Sequence, residues 1–258
     1  EVFMKFCKNC GKKLKEKEVC DCQKKSSSDE NIFQSLKELV INLVKKPNTA
    51  VEGYVDNNNN ILSYILIAIC SLIYSLVFVV AIKKIFGIAI DSLSIYSSLF
   101  SSSIKINYFT ILIAFIIMIL GLIFGLILSS WLVIGKIYRI DKFNYEKSLS
   151  LTAVSTIPLT LISLIILLFV LIFNINSQAT LMIFILLLSF GGLSFYTLFI
   201  SNLKYTSGCD NDQVFISSVI TIILALITMF VVARCISIPM ITNMLKGIMG
   251  GFLGSRLY

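Results

Sequence analysis

Five uninterrupted apolar stretches decide what this chain can become. They occupy residues 61–82, 109–134, 149–173, 181–203 and 214–238. A bilayer core about 30 Å thick takes about 20 helical residues to cross, and each stretch is long enough. In lipid a backbone N–H or C=O finds no water, so an isolated span must be helical. The abundant Ile, Val and Phe would favour strands in water, but that preference is overridden here. The spacing therefore predicts an all-α integral membrane protein with a five-helix transmembrane bundle over residues 61–238. Spans three and four are joined only by residues 174–180, which makes them an antiparallel hairpin.

The composition narrows the chemistry. The chain has no His, which removes the Ser-His-Asp triad, His-based zinc catalysis and an imidazole proton relay. All fourteen Asp and Glu residues fall outside the five stretches. Arg234 is the only charge inside one, near its end, where its head can reach the interface. Coupled transport and intramembrane proteolysis draw on buried carboxylates or activated hydroxyls. The expectation is a protein that is not an enzyme, unless the loop residues Asp91, Asp141, Glu146 and Asp210 carry chemistry of their own. The formal charge of +8 belongs to a chain that is mostly apolar, so nucleic acid is not an expected partner.

Ahead of the spans the character changes. Met4 opens Met-Lys-Phe-Cys, which reads as a natural start, so residues 1–3 are set aside. No apolar core precedes residue 60, so a cleaved export signal is not expected. Residues 4–25 hold Cys7-x-x-Cys10-Gly11 and then Cys20-x-Cys22. Two close thiol pairs suit one tetrahedral Zn²⁺ held by Cys7, Cys10, Cys20 and Cys22. Gly11 allows the positive φ of a metal knuckle, and Lys8, Lys12 and Lys13 ease thiolate formation. So short a segment buries no core of its own, so the metal would supply its folding energy. Four thiolates close the shell, which makes the site structural, and with one Zn²⁺ the formal charge drops from +8 to +6. The competing reading is a redox dithiol or a disulfide pair. The second pair has one intervening residue and no following Gly, unlike the first.

Residues 26–31 are a solvated linker by composition. In residues 32–46, Ile32, Phe33, Leu36, Leu39, Val40, Leu43 and Val44 share one helical face. Pro47 ends this amphipathic helix. It belongs either on the cytoplasmic lipid surface, with Lys45 and Lys46 at anionic headgroups, or packed beneath the spans. Residues 92–104 carry Leu93, Tyr96, Leu99 and Phe100 at helical spacing and suit the opposite surface. The tail, residues 239–258, is rich in Gly and Met and makes no clear sixth span. Cys70 and Cys235 lie in apolar stretches, where Cys acts as a small hydrophobe, and Cys209 lies in a loop.

Within the spans the notable residues are small or hydroxylated. Gly121-x-x-x-Gly125, extended to Ser129, makes a flat stripe that serves helix packing or a homo-oligomer contact. Thr152, Thr156, Thr160 and Ser163 share a face of the third span. Ser217, Thr221 and Thr228 nearly do so on the fifth. These hydroxyls bond neighbouring helices or their own carbonyls, or line a polar groove for a lipid headgroup or small solute. Pro158 should kink the third span and free a carbonyl near its stripe.

Lys and Arg set the expected orientation. Eleven Lys precede the first span, and Lys136, Arg139, Lys142 and Lys147 lie between the second and third. The amino terminus is then cytoplasmic and the carboxyl terminus outside. Lys83, Lys84 and Lys105 run against this assignment.

The polar lead, Val44-Lys45-Lys46-Pro47 and five spans together resemble the bacterial branch of the Yip family of Ypt/Rab-interacting membrane proteins. The likeness covers about residues 36–240. It is best at Lys46-Pro47 with the stretch into Ile61, and at Lys142-Phe143 through Lys147-Ser148 with Ser155-Thr156-Ile157-Pro158. The cysteine cluster resembles the zinc ribbon that often precedes such membrane domains. The resemblance implies a five-span fold in the cell membrane with a cytosolic amino terminus. The family's eukaryotic members are linked to vesicle traffic and small GTPases. The Ile-, Asn- and Lys-heavy composition points to a low-GC bacterium. The functional expectation is a protein that organises membrane or recruits a cytosolic protein through its ribbon. A lipid or solute passage along the hydroxyl stripes is the alternative.

Overall fold

The computed structural model describes residues 5–6, 13–14, 32–45, 47–56, 60–96, 106–140, 142–173, 177–243 and 246. The chain divides into two compact units, residues 1–41 and 42–258. In the first, strand β1 (Lys5–Phe6) pairs antiparallel with β2 (Lys13–Leu14), with Lys5 opposite Leu14 and Phe6 opposite Lys13. The other described elements are all helices.

Helix α1 (Ile32–Lys45) follows the amphipathic pattern. Leu39 and Leu43, one turn apart, are buried, while Lys37, Glu38, Ile41 and Asn42 are exposed. Pro47 ends α1 and also opens α2 (Pro47–Asp56). Proline suits that first helical position because its missing N–H would have had no partner there.

The five apolar helices follow as α3 (Asn60–Tyr96), α4 (Tyr108–Ser130), α5 (Tyr145–Ile172), α6 (Gln178–Ser207) and α7 (Asn211–Val232). Each contains a segment long and apolar enough to cross a membrane, including Asn60–Gly87 of α3. Their outer faces keep large apolar side chains uncovered, such as Leu186 and Phe190 on α6 and Phe215 and Phe230 on α7. In water that would be costly; against lipid tails it is the stable arrangement.

Two boundaries differ from expectation. Helix α3 does not stop at residue 82 but runs through Lys83 and Lys84 to Tyr96, so residues 92–96 belong to it. Residues 97–105 lie outside the described ones. At the other end, α7 continues through a π turn (Ala233–Ser237) to Asn243. The π turn lies one residue before Pro239, which has no N–H to give, and re-routes the ladder so that Ile238 N–H bonds Ala233 O. Helix α4 ends in a second π turn (Trp131–Ile137). Pro158 is accommodated inside α5, which runs unbroken across it.

Backbone proximity gives the helix neighbours. Helix α5 lies between α3 and α6, and α4 lies between α3 and α7. Helix α2 packs on α5 and α6. Gly121 and Gly125 face α7: an added Cβ would meet Val232 at the first, and Thr228 and the Ala225 backbone at the second. The glycine stripe is thus taken up by helix packing within the chain.

Asn107, Asn144 and Ser177 cap α4, α5 and α6, their side chains accepting from Phe109, Lys147 and Thr180 N–H respectively. Gly208 ends α6 at φ 69°, a left-handed conformation costly for other residues.

Candidate functional site

The two ends of the bundle are built from different chemistry. Successive apolar helices run antiparallel, so the starts of α3, α5 and α7 meet the ends of α4 and α6. Ser63 of α3 donates to Ser150 of α5 at 3.4 Å, while at the far end Lys84 reaches Phe173. At that far end Val77, Ala81, Ile166, Val170 and Phe184 form an apolar cluster. The near end is instead lined by hydroxyls.

This polar end begins in α5. Residues 148–157 are all buried, so nearly three turns are enclosed on every side. Ser148 donates to Ile127 O of α4 at 2.7 Å and also meets Ser130. Ser63 is held between Ser150 and Tyr54 of α2, the last at 2.9 Å. Ser155 accepts from Asn202 Nδ2 of α6 at 3.3 Å and donates to Leu151 O in its own helix. Asn202 is 1% exposed, and its Oδ1 has no hydrogen-bond partner. Burial pushes the Tyr54 phenol above its ordinary range, and the Ser63 hydroxyl partly offsets this.

The two hydroxyl stripes face different neighbours. On α5, Thr152, Thr156 and Thr160 donate to their own helix at Ser148 O, Ala153 O and Thr156 O. Thr156 and Thr160 also lie against the Cys70 thiol of α3. On α7 the stripe meets α4, where Ser129 donates to Thr221 O at 3.1 Å. Ser217 and Thr228 also bond their own helix, at Val214 O and Ala225 O. Ser237, beyond the stripe, donates to Ala114 O at 2.9 Å and ties the far ends of α4 and α7 together. Ser163 and Thr221 each bury a hydroxyl oxygen without a hydrogen-bond partner.

The sequence placed the stripes on the right faces but left Asn202, Tyr54 and Ser63 unremarked. Asn202 is a buried amide near the end of an apolar helix, which is the one signal that could have raised it. Cys209 is buried at the α6–α7 turn, where its N–H bonds Ser207 Oγ at 3.3 Å.

The four expected metal ligands, Cys7, Cys10, Cys20 and Cys22, lie outside the described residues. The strand pair β1–β2 brackets the segment that carries Cys7 and Cys10. Among the described residues no group of three or more His, Cys, Asp or Glu side chains stands close enough to hold a metal.

Outside the bundle core the polar end is charged. Lys136 Nζ stands 5.7 Å from the centre of the Trp131 ring, and Tyr145 meets the same ring edge-on at 6.4 Å. At the opposite end Lys83 Nζ stands 5.9 Å from the Tyr108 ring centre. Lys84 donates to Leu171 O at 3.1 Å and Phe173 O at 2.9 Å, so it caps the end of α5.

Residues 25–246 match the family described as domain of unknown function DUF6574, and the chain belongs to that family. The match begins at the last residue of the cysteine-bearing segment 4–25 and takes in all five apolar helices. No curated protein and no solved structure matches the chain.

Proposed function

We propose that this DUF6574 chain is a non-enzymatic multi-pass membrane protein that organises its membrane or recruits a cytosolic protein through an amino-terminal structural zinc ribbon. One observation carries the reading. Among the described residues no Asp, Glu, Lys or Arg is buried, and apart from the Tyr54 phenol and the Cys70 and Cys209 thiols the buried polar residues are Ser, Thr and Asn. Such groups tie helices together, but near neutral pH they neither hold charge nor exchange a proton unaided. A body of this kind suits holding and gathering.

The ribbon supplies the contact. Four thiolates from Cys7, Cys10, Cys20 and Cys22 would fill a Zn²⁺ shell and leave no open position for substrate. The β1–β2 pairing fits such a site, since it brings the two ends of the Cys7 and Cys10 connection together. The cation distribution favours a cytoplasmic amino terminus and an outside carboxyl terminus. The likeness to the Yip family points the same way.

Purified protein should carry close to one zinc per chain, and Cys7→Ser should lose it. Cross-linking and pulldown with the full chain and with a chain lacking residues 4–25 tests the recruitment. Identical partner sets from the two would refute it.

A second reading is passage of a lipid or small solute. The unpartnered oxygens of Ser163, Asn202 and Thr221 favour it, because a moving polar group would satisfy them. Reconstituted vesicles in which neither labelled lipid nor candidate solutes cross would remove it.

A further inference from the structure

We infer that the turn between α4 and α5 is a recognition site for the phosphate of an anionic phospholipid. The inference rests on the reading of the five helices as bilayer spans. Lys136, Arg139 and Lys142 are all exposed there. Among the described residues none of the three has a carboxylate partner. Three cations against the single Asp141 leave residues 136–142 with two net positive charges. The α6–α7 turn at the same end of the bundle carries the opposite balance, with Lys204 against Asp210 and Asp212. The two span-connecting turns at this end therefore differ in the sign of their charge.

Backbone bonds hold the described residues of the turn on either side of residue 141. Tyr138 N–H bonds Val133 O at 3.0 Å, Ile140 N–H bonds Ile134 O at 3.3 Å, and Phe143 N–H bonds Ile140 O at 3.0 Å. Arg139 is fixed at φ 55°, where few residues other than Gly or Asn settle. Phe143 is 2% exposed and anchors the exit. Its carbonyl lies so near Gly135 that an added Cβ would stand 2.8 Å from it. The start of α5 follows directly, but Asn144 already caps its Lys147 N–H and Glu146 lies in its first turn, so the three cations and not the helix start supply the attraction. Three exposed cations on one short turn with a bonded backbone suit a phosphate better than a diffuse counter-ion layer does.

The depth is right as well. Trp131 is the only tryptophan in the chain. Trp rings settle at the level of lipid headgroups. Lys136 stands over this ring, so the turn and the headgroup phosphates share one layer.

The lone Trp131 also provides the test. The full chain is reconstituted in phosphatidylcholine vesicles doped with chain-brominated phosphatidylglycerol or chain-brominated phosphatidylcholine, and Trp131 quenching is read against unbrominated lipid. Each cation near an anionic surface contributes roughly fivefold in partition. The expected result is at least a fivefold preference for phosphatidylglycerol, falling to about one in K136Q/R139Q/K142Q and unchanged in K204Q. Thermal melts confirm that the variants are folded. Equal quenching by both lipids in the unaltered protein would overturn the inference, as would a preference that survives the triple change. A preference abolished by millimolar inorganic phosphate at constant ionic strength would assign the turn to a soluble phosphate and overturn the lipid assignment. Quenching by neither lipid would sink the bilayer reading itself, and this inference with it.

Discussion

Gly125→Ala should loosen the contact between α4 and α7. An added Cβ there would overlap the Thr228 hydroxyl and stand 3.0 Å from the Ala225 Cα. The first neighbour is a side chain and can turn away. The second is backbone and moves only with its helix. Overpacking of this kind costs about 1–3 kcal/mol. Thr228 would also be forced from its 2.8 Å bond to Ala225 O and its approach to Gly121 O, where a polar contact between membrane helices averages about 0.6 kcal/mol. Against this, Ala gains up to about 1 kcal/mol over Gly inside a helix. The net loss is about 1–2 kcal/mol, or about 2–8 °C in melting temperature for a chain of this size. The assay is a thermal melt in detergent micelles followed by circular dichroism. Gly192→Ala is the paired control, since nothing lies within 4 Å of its added Cβ. It should melt no lower than the unaltered protein. Adding Thr228→Ala to Gly125→Ala should recover the side-chain share of the loss and leave the share due to Ala225. Gly125→Ala melting as high as Gly192→Ala would refute the close approach of α4 and α7.

Other changes probe the two ends. Tyr54→Phe removes the 2.9 Å bond to Ser63 and should cost about 0.5–1.5 kcal/mol near neutral pH in a melt. Burial favours the neutral phenol, so its contribution is complete below the ordinary value of 10.0 and is lost as pH rises through the higher folded-state value. Melts above pH 10 should therefore decline more steeply for the unaltered protein than for Tyr54→Phe. Lys84→Met keeps most of the stem but leaves the Leu171 and Phe173 carbonyls without their ammonium donor. It should lower stability by about 0.5–1 kcal/mol and speed amide exchange in the last turn of α5, whereas Lys84→Arg should retain most of both. Ser155→Ala strands the Asn202 amide and should cost about 1–3 kcal/mol, yet Asn202→Leu, which removes the unpartnered Oδ1 as well, should be close to neutral in the same melt.

The spans were legible because the solvent that selects them leaves one option. An apolar run of bilayer length must close its own hydrogen bonds, and no tertiary partner is needed to say so. Gly121 and Gly125 were legible as a close-packing stripe for a similar local reason. That α7 fills the stripe is a fact about pairing, which one helix does not encode. Lys83 and Lys84 misled the α3 boundary because two adjacent lysines read as solvent. In the fold Lys84 is bound to carbonyls of α5, and Lys83 stands over the Tyr108 ring. Each cation finds a partner more than twenty residues away. Helix α2 was missed because the side chains described as buried on it, Val51, Tyr54 and Val55, are too few to make a period. The cysteine segment is legible as chemistry, through thiol spacing, but its four ligands lie outside the described residues. The division of the bundle into two unlike ends was hidden for a different reason. Ser63, Ser130, Ser148, Ser155 and Asn202 are scattered over four helices, and only the antiparallel threading brings them to one level. A hydroxyl buried alone in lipid would cost several kcal/mol. Gathered at one level, most of these hydroxyls satisfy each other and nearby carbonyls. Packing at that level then depends on directed bonds, while the far-end cluster around Val77 and Phe184 packs by shape and volume. Directed bonds can be exchanged one at a time for those of an incoming polar group.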